Sequence, residues 1–290
     1  MTAIYMDELN IAEHLKNANE DVLKEIISTC EKIVEAGIYP LRIVENIYDK
    51  TLAGAPFHEI LYHNFNEMRD TIIQIQKLID RADIYPDTAD DNHALAKLIS
   101  DGFGAIVSTG PLETDMSWNP SRMHKIASKK EIPDFLRRAF INDKKTEKDL
   151  VQFIPYMYPA LIFAEHPCFK KLSLPFSSTI ANLISHLSYL NDYANLHFNR
   201  NHQDHEIIAL AGSQGVSMSP EGPRTRSNNR AMREREITIQ NVKIMCEWHT
   251  KLTPTTGRIH FNAKSNRLDD IKRIIGEKVL VGLFVDHLPL

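Results

Sequence analysis

The spacing of apolar residues changes along this chain of 290 residues. Up to about residue 210 they recur at steps of three and four, the period of an amphipathic helix, whereas residues 242–252 alternate apolar and polar side chains as a half-buried strand does. One early helix is predicted to end near residue 36, because Gly37 interrupts the apolar stripe and Pro40 follows. The chain is therefore expected to contain a helical part and a sheet.

A small sheet is predicted in the last quarter of the chain. Its strands cover residues 236–240, 242–252, 258–262 and 279–285. Residues 268–275 are expected to form a short helix against it. We predict an α+β fold with three parts: a mostly helical N-terminal region over residues 1–210, a linker rich in Gly, Pro and Arg over residues 211–234, and a small four-stranded antiparallel sheet domain over residues 235–290.

The overall composition is that of a soluble globular protein, with 43% hydrophobic and 25% charged residues. No apolar run reaches the roughly 18 residues that a membrane span needs, and no basic-then-apolar leader begins the chain, so a cytoplasmic protein without membrane contact is expected. The three cysteines, Cys30, Cys168 and Cys246, lie far apart and support neither a disulfide framework nor a structural zinc site. No metal and no cofactor are predicted.

Charge is distributed unevenly along the chain. The net charge is −4, but residues 211–290 carry 13 Lys or Arg against 8 Asp or Glu. A basic C-terminal part favours nucleic acid as a partner, RNA more than DNA, and the helical part is expected to bind a protein partner or another copy of the chain. The alternative is that the opposite charges help the two parts dock on each other.

Five arginines lie close together where the predicted linker meets the sheet: Arg224, Arg226, Arg230, Arg233 and Arg235. Guanidinium groups bind phosphate through paired hydrogen bonds, so this segment is a candidate nucleic-acid-binding site. A solvated run of charges explains the same pattern equally well.

Matching the apolar faces of two adjacent strands predicts which polar residues lie opposite each other. In that register Lys251 pairs near Arg258 and His249 near His260. The cations suit a phosphate, and the imidazoles suit acid–base chemistry near neutral pH, which together would allow metal-independent RNA cleavage. The alternative is that Glu247 neutralises the two cations and the histidines are ordinary strand residues.

The same strands resemble the C-terminal sheet of the RelE/ParE-like toxin superfamily of bacterial ribonucleases and gyrase poisons. The similarity rests on the hairpin with Lys251 and with residues 258–261, and on the closing stretch over residues 283–288. It implies a basic catalytic face to which Lys251, Arg258, His260 and His287 contribute.

A second short pattern follows a predicted long helix. Arg200 and His205, with four residues between them, are similar to the motif of HEPN ribonucleases. This resemblance implies an alternative catalytic pair in a helical fold. A polar junction between two helices is the simpler interpretation of these residues.

These patterns favour an RNA-cleaving or RNA-binding effector of the bacterial toxin or phage-defence type. Its reaction at the RNA phosphate would take place on the basic face of the sheet, without a metal. The alternative function is a non-enzymatic scaffold or adaptor subunit of a defence complex, whose C-terminal part tethers nucleic acid. The expected enzyme, if there is one, is a metal-independent endoribonuclease.

Overall fold

A computed structural model describes residues 2–88, 90–165, 169–200, 202–263 and 269–288. The chain divides into two compact units, Met1–Asp143 and Lys144–Leu290, so the division falls inside the region for which we predicted one helical domain. Among the described residues, no helix combines the length and apolar character needed to cross a membrane.

The N-terminal unit alternates strands and helices. Its strands are β1 (Ile4–Met6), β2 (Leu41–Val44), β3 (Thr51–Leu52), β4 (Ala55–Pro56), β5 (Asp83–Tyr85), β6 (Gly104–Val107) and β7 (Met123–Ile126). Its α-helices are α1 (Glu8–Lys16), α2 (Glu20–Ala36), α3 (Phe57–His63), α4 (Arg69–Arg81), α5 (His93–Asp101) and α6 (Ile132–Asn142). Single 3₁₀ turns cover Ile47–Asp49, Leu112–Thr114 and Lys129–Glu131.

Five of these strands form a sheet in the order β5-β2-β1-β6-β7, and every neighbouring pair is parallel. From β1 the chain adds β2 and then β5 on one side, and it then returns to place β6 on the other side of β1. In a sheet of this kind, ligands bind outside the carboxyl ends of the strands where the direction of winding reverses. That point lies between β1 and β6.

The prediction of a mostly helical N-terminal region is wrong, and the burial of the strands explains why. Every residue of β1 and of β6 is buried, so neither strand shows the alternation of apolar and polar residues that marks a half-exposed strand. A run of three or four apolar residues reads equally well as part of a helical stripe. The chain leaves α5 at Gly102, which has a φ of 77°, and enters β6 only two residues later.

In the C-terminal unit, most of the helices precede most of the strands along the chain. Its α-helices are α7 (Glu147–Met157), α8 (Phe176–Tyr189), α9 (Asn195–Asn199), α10 (Asp204–Ser213), α11 (Pro223–Arg226), α12 (Asn229–Arg233) and α13 (Asp269–Ile275). A 3₁₀ turn covers Phe169–Lys171, and a π-helical turn, Leu190–Ala194, joins α8 to α9. Its strands are β8 (Leu161–Phe163), β9 (Met218–Pro220), β10 (Glu236–Ile239), β11 (Val242–Met245), β12 (Trp248–Lys251), β13 (Arg258–Asn262) and β14 (Val279–Val285).

The predicted four-stranded antiparallel sheet is also wrong. The structure has a five-stranded sheet in the order β8-β14-β13-β12-β9, in which β8 is parallel to β14 and the other pairs are antiparallel. The two edge strands were missed because each has only three residues. The strand predicted over residues 236–240 instead pairs with β11 in a separate two-stranded sheet.

The predicted hairpin register is confirmed: His249 pairs with His260, and Lys251 pairs with Arg258. The predicted short helix is also present as α13, although Leu268 lies outside the described residues. Ile271 and Ile275 of this helix share a buried cluster with Ile244, Cys246 and Leu280.

Candidate functional site

A crevice of about 420 Å³ lies at the carboxyl edge of the parallel sheet. Asp7 follows β1, and Gly110 and Leu112 lie shortly after β6, so the crevice occupies the point between these two strands where the winding reverses. Its lining combines acidic, amide and apolar side chains: Asp7, Glu13 and Asp115; Asn10 and Asn92; and Leu9, Leu95 and Leu112.

Asp7 is the most deeply buried carboxylate of this lining, with an exposed fraction of 2%. It is the N-cap residue of α1, and its side chain accepts a hydrogen bond of 3.0 Å from the backbone N–H of Asn10. Burial raises the pKa of Asp7 above its usual range, because the loss of water outweighs the hydrogen bonds from Ser108 and Asn10. The carboxyl therefore keeps its proton to a higher pH than an exposed aspartate does.

Asn10 connects α1 to the segment that follows β6. Its Oδ1 accepts hydrogen bonds from the backbone N–H of Thr109 at 3.1 Å and from the Thr109 hydroxyl at 3.0 Å. His14 Nε2 lies 2.9 Å from the same hydroxyl and 3.3 Å from Asn10 Nδ2. A Cβ atom at Gly110 would lie only 3.3 Å from Ser108 Oγ, so glycine allows this segment to pass close to the network.

The electrostatics of the crevice disfavour a phosphate. The lining residues that the structure describes include three carboxylates and no Lys, Arg or His. The N-terminus of α1, where many related sheets bind a phosphate, already has the Asp7 carboxylate as its cap. Ligand hydroxyl or ammonium groups suit this lining better, because both donate hydrogen bonds to carboxylates.

A second buried carboxylate, Glu8, points away from the crevice towards β2 and β5. Its Oε1 accepts hydrogen bonds from the backbone N–H of Val44 at 2.9 Å and from the Tyr85 hydroxyl at 2.8 Å. Burial nevertheless raises the pKa of Glu8 to about 7. Glu8, buried at the start of α1, therefore loses its proton near neutral pH.

The predicted cationic pair, Lys251 and Arg258, does not form an exposed basic surface. Arg258 has an exposed fraction of only 7%. Its guanidinium donates to four carbonyl oxygens of the turn before β13, those of Thr253, Pro254, Thr256 and Gly257, at 2.9–3.2 Å. Arg258 therefore holds the turn, while Lys251 beside it is half-buried. His287 is exposed beyond β14.

The histidine pair is joined by a carboxylate that the sequence analysis missed. Glu221 follows β9, and its Oε1 lies 3.5 Å from His249 Nδ1 and 3.9 Å from His260 Nδ1. Burial alone would raise the pKa of Glu221, but hydrogen bonds from His249 and Arg235 lower it to about 2. Burial and the neighbouring His249 lower the pKa of His260 to about 3, so its ring is neutral at pH 7. Pairing of Ser219 with His249 between β9 and β12 is the tertiary feature that brings Glu221 here.

The five arginines of the predicted nucleic-acid-binding segment separate into two groups. Arg235 is buried, and its Nε lies 2.7 Å from Glu221 Oε1, so this arginine belongs to the interior. The other four are exposed on α11 and α12: Arg224, Arg226, Arg230 and Arg233. Arg226 Nε lies 3.5 Å from Glu247 Oε2 at the edge of this surface.

The alternative pair, Arg200 and His205, lies at the junction between α9 and α10. Arg200 follows the last residue of α9, and His205 is in the first turn of α10; both are exposed. Asn201, between them, lies outside the described residues. Neighbouring His202 lies 3.5 Å from Glu206, in the contact expected of a polar helix junction.

Comparison with known proteins gives no relative from which a role for these residues could be transferred. No protein-family model, no curated protein and no solved structure matches the chain.

Proposed function

We propose that the N-terminal unit binds a small hydroxyl-rich molecule, a nucleoside or a related sugar, in the crevice beside Asp7. The observation that carries this proposal is the position of Asp7: a buried carboxylate at the point between β1 and β6 where ligands bind in sheets of this order. Buried polar groups that converge on a concave surface mark the default binding site of a fold.

The lining supports this class of ligand in two ways. Carboxylates accept hydrogen bonds from sugar hydroxyls, and Asp7 and Glu13 both face the crevice. Leu9, Leu95 and Leu112 provide apolar surface for a base or for the flat face of a sugar ring. A nucleotide fits less well, because its phosphate would meet the carboxylates of the lining, and the nearby Lys125 is already paired with Glu113.

Asp7 is also the candidate acid–base residue of the site. Its raised pKa moves the carboxyl towards the range in which a side chain can both donate and accept a proton. The reaction in which Asp7 would transfer a proton depends on the ligand, so ligand binding is the property to test first.

The test is ligand-observed NMR with the full chain and a panel of adenosine, uridine, ribose, glucose and adenosine monophosphate. Saturation transfer is expected for the nucleosides or sugars and weaker for the monophosphate. Thr114→Trp fills the crevice from an exposed position and should abolish the signal, and Glu13→Gln should weaken it. Glu25→Gln, an exposed change on α2, is the matched control.

Absence of binding across the panel would contradict the proposal. So would binding that is unaffected by Thr114→Trp, or binding of the monophosphate in clear preference to the nucleosides.

We propose nucleic-acid binding as the function of the C-terminal unit, in the RNA-binding or RNA-cleaving effector described above. The specific observation in its favour is that four guanidinium groups, at Arg224, Arg226, Arg230 and Arg233, are exposed within ten consecutive residues. Arginines on one short segment can neutralise several phosphates, and the binding constant then falls steeply with salt.

Fluorescence anisotropy with a labelled single-stranded RNA tests this second function. Replacing Arg224, Arg230 and Arg233 by Ala together should weaken binding and flatten its dependence on salt. Equal affinity of the wild type and this variant would remove the RNA function. Binding without cleavage of the RNA would favour the scaffold or adaptor alternative over the ribonuclease.

A further inference from the structure

Three strands of the mixed sheet bring two imidazoles and one carboxylate together. β12 carries His249 and lies between β13, which carries His260, and β9, which ends one residue before Glu221. Among the residues that the structure describes, this is the one group of three or more His, Cys, Asp or Glu side chains whose ligand atoms converge, all within 4.8 Å of one another.

The distances are close to those of a metal site. Zinc bonds to nitrogen and oxygen of about 2.0–2.2 Å place the ligand atoms of a tetrahedral site roughly 3.3 Å apart. Glu221 Oε1 lies 3.5 Å from His249 Nδ1 and 3.9 Å from His260 Nδ1. These two separations are therefore within roughly 0.6 Å of the tetrahedral value, and the ligand atoms of the two imidazoles lie within 4.8 Å of each other, so the side chains would move closer together to surround an ion.

Polar contacts around the side chains partly resemble those of metal ligands. His249 Nε2 lies 3.3 Å from Ser219 Oγ, on the ring edge away from Glu221. His260 Nδ1 lies 3.3 Å from the carbonyl oxygen of Cys246, so this nitrogen binds an ion only in its deprotonated form, without donating to that carbonyl. Arg235 Nε lies 2.7 Å from the Glu221 carboxylate. Outer contacts of this kind orient imidazole and carboxylate ligands, and here they orient His249 and Glu221.

One positive charge already lies beside the cluster. With Glu221 ionised, Arg235 is the positive charge nearest to it, and an ion would have to share the carboxylate with that guanidinium.

We propose that Glu221, His249 and His260 bind one divalent first-row transition-metal ion, through one carboxylate oxygen and one nitrogen of each imidazole. Two nitrogen ligands favour Zn²⁺, Co²⁺ or Ni²⁺ over Mg²⁺ and Ca²⁺, which prefer oxygen. Three protein ligands leave a fourth position for a water molecule, as in the zinc sites of hydrolytic enzymes. This site is independent of the crevice beside Asp7, and its presence does not require the proposed nucleoside binding.

Cobalt binding to the full chain tests the site. After treatment with a chelator and its removal by dialysis, Co²⁺ is titrated while visible absorbance is recorded, and the bound metal is counted by mass spectrometry. The expected result is one Co²⁺ per chain, with the intense visible bands of four-coordinate cobalt, unaffected by excess Mg²⁺ and displaced by Zn²⁺.

Variants assign the binding to these side chains. His249→Ala changes a partly exposed ligand and should lower Co²⁺ affinity at least about tenfold. Glu221→Gln should have the same effect, and circular dichroism verifies that each variant is folded. His205→Ala, an exposed histidine on α10, is the matched control and should bind as the wild type does.

The proposal is overturned if the wild-type chain binds less than stoichiometric Co²⁺, because the cluster is then an ion-pair network with Arg235. It is equally overturned if folded His249→Ala binds Co²⁺ as tightly as the wild type.

Discussion

His249 and His260 lie directly opposite each other on β12 and β13, with ring centroids 5.1 Å apart. Solvent hardly reaches His260, which has an exposed fraction of 2%. The Glu221 carboxylate lies beside both rings. An imidazole so deeply buried cannot meet an RNA strand directly. The chemistry of this pair is therefore better suited to holding an ion than to direct acid–base catalysis on a polymer.

Arg258→Lys is expected to destabilise the C-terminal unit. Lysine cannot reproduce a guanidinium that donates to four carbonyl oxygens, so some of these buried acceptors lose their partner. The expected loss is about 2–3 kcal/mol in the free energy of unfolding, measured with urea. Lys243→Ala, in an exposed ion pair, should cost much less. An Arg258→Lys protein of unchanged stability but altered RNA cleavage would support a catalytic role instead.

Glu8→Gln should change how stability depends on pH. The pKa of Glu8 is about 7 in the folded chain, against an ordinary glutamate value of about 4.5, so between these pH values the folded state holds a proton that the unfolded state has lost. The contribution of Glu8 to stability is therefore complete below pH 4.5 and is lost as the pH rises through 7. Glutamine removes this loss, on the order of 2–3 kcal/mol.

Urea unfolding of wild type and Glu8→Gln at pH 5 and pH 8 measures the effect. Stability of the variant relative to wild type should increase from pH 5 to pH 8. A difference between the two proteins that stays constant with pH would show that Glu8 does not titrate in this range.

Gly104→Ala is expected to destabilise the N-terminal unit at the amino end of β6. A Cβ atom at this position would lie 2.7 Å from the backbone oxygen of Ala3, so β6 could not keep its distance from the start of β1. The expected cost is about 1–3 kcal/mol. Gly212→Ala is the control, because nothing lies within 4 Å of that position and alanine favours the helix. Thermal unfolding should show opposite shifts for the two changes, and equal shifts would refute the steric explanation.

Asn10→Ala should loosen the segment after β6 without unfolding the sheet. The side chain accepts two hydrogen bonds from Thr109, and alanine accepts neither. Hydrogen exchange of the Thr109 amide should become faster by tenfold or more, which corresponds to about 1.4 kcal/mol. Asn17→Ala, an exposed change after the end of α1, should leave this amide unchanged. Unaltered exchange in Asn10→Ala would mean that another group holds Thr109.

Local patterns predicted part of this structure correctly. Gly37, with a φ of 61°, ends α2 after Ala36 as expected, because glycine adopts the left-handed conformation that closes a helix. The register of His249 with His260 followed from matching the apolar faces of two strands joined by a short turn. Both features depend on residues close together along the chain.

The parallel sheet was missed for a physical reason. Ile4–Met6 and Gly104–Val107 are buried on both faces, so their sequences carry no alternation, and the two strands are about a hundred residues apart. Nothing local indicates that they are neighbours. The crevice beside Asp7 depends on the pairing of these two strands, and so the candidate binding site was not predicted either.

Sequence alone determined the local elements of this protein: where α2 ends, which strand faces are apolar and which histidines lie opposite each other. Tertiary structure decided what these elements mean for function. Folding buries Arg258 and Arg235, which were predicted from the sequence to bind phosphate. It also brings Glu221 to the histidine pair, because β9 pairs with β12, which lies about 30 residues further along the chain. The physical reason is that periodicity and turn chemistry act between near neighbours, whereas burial and charge pairing are set by residues that meet only in the folded chain.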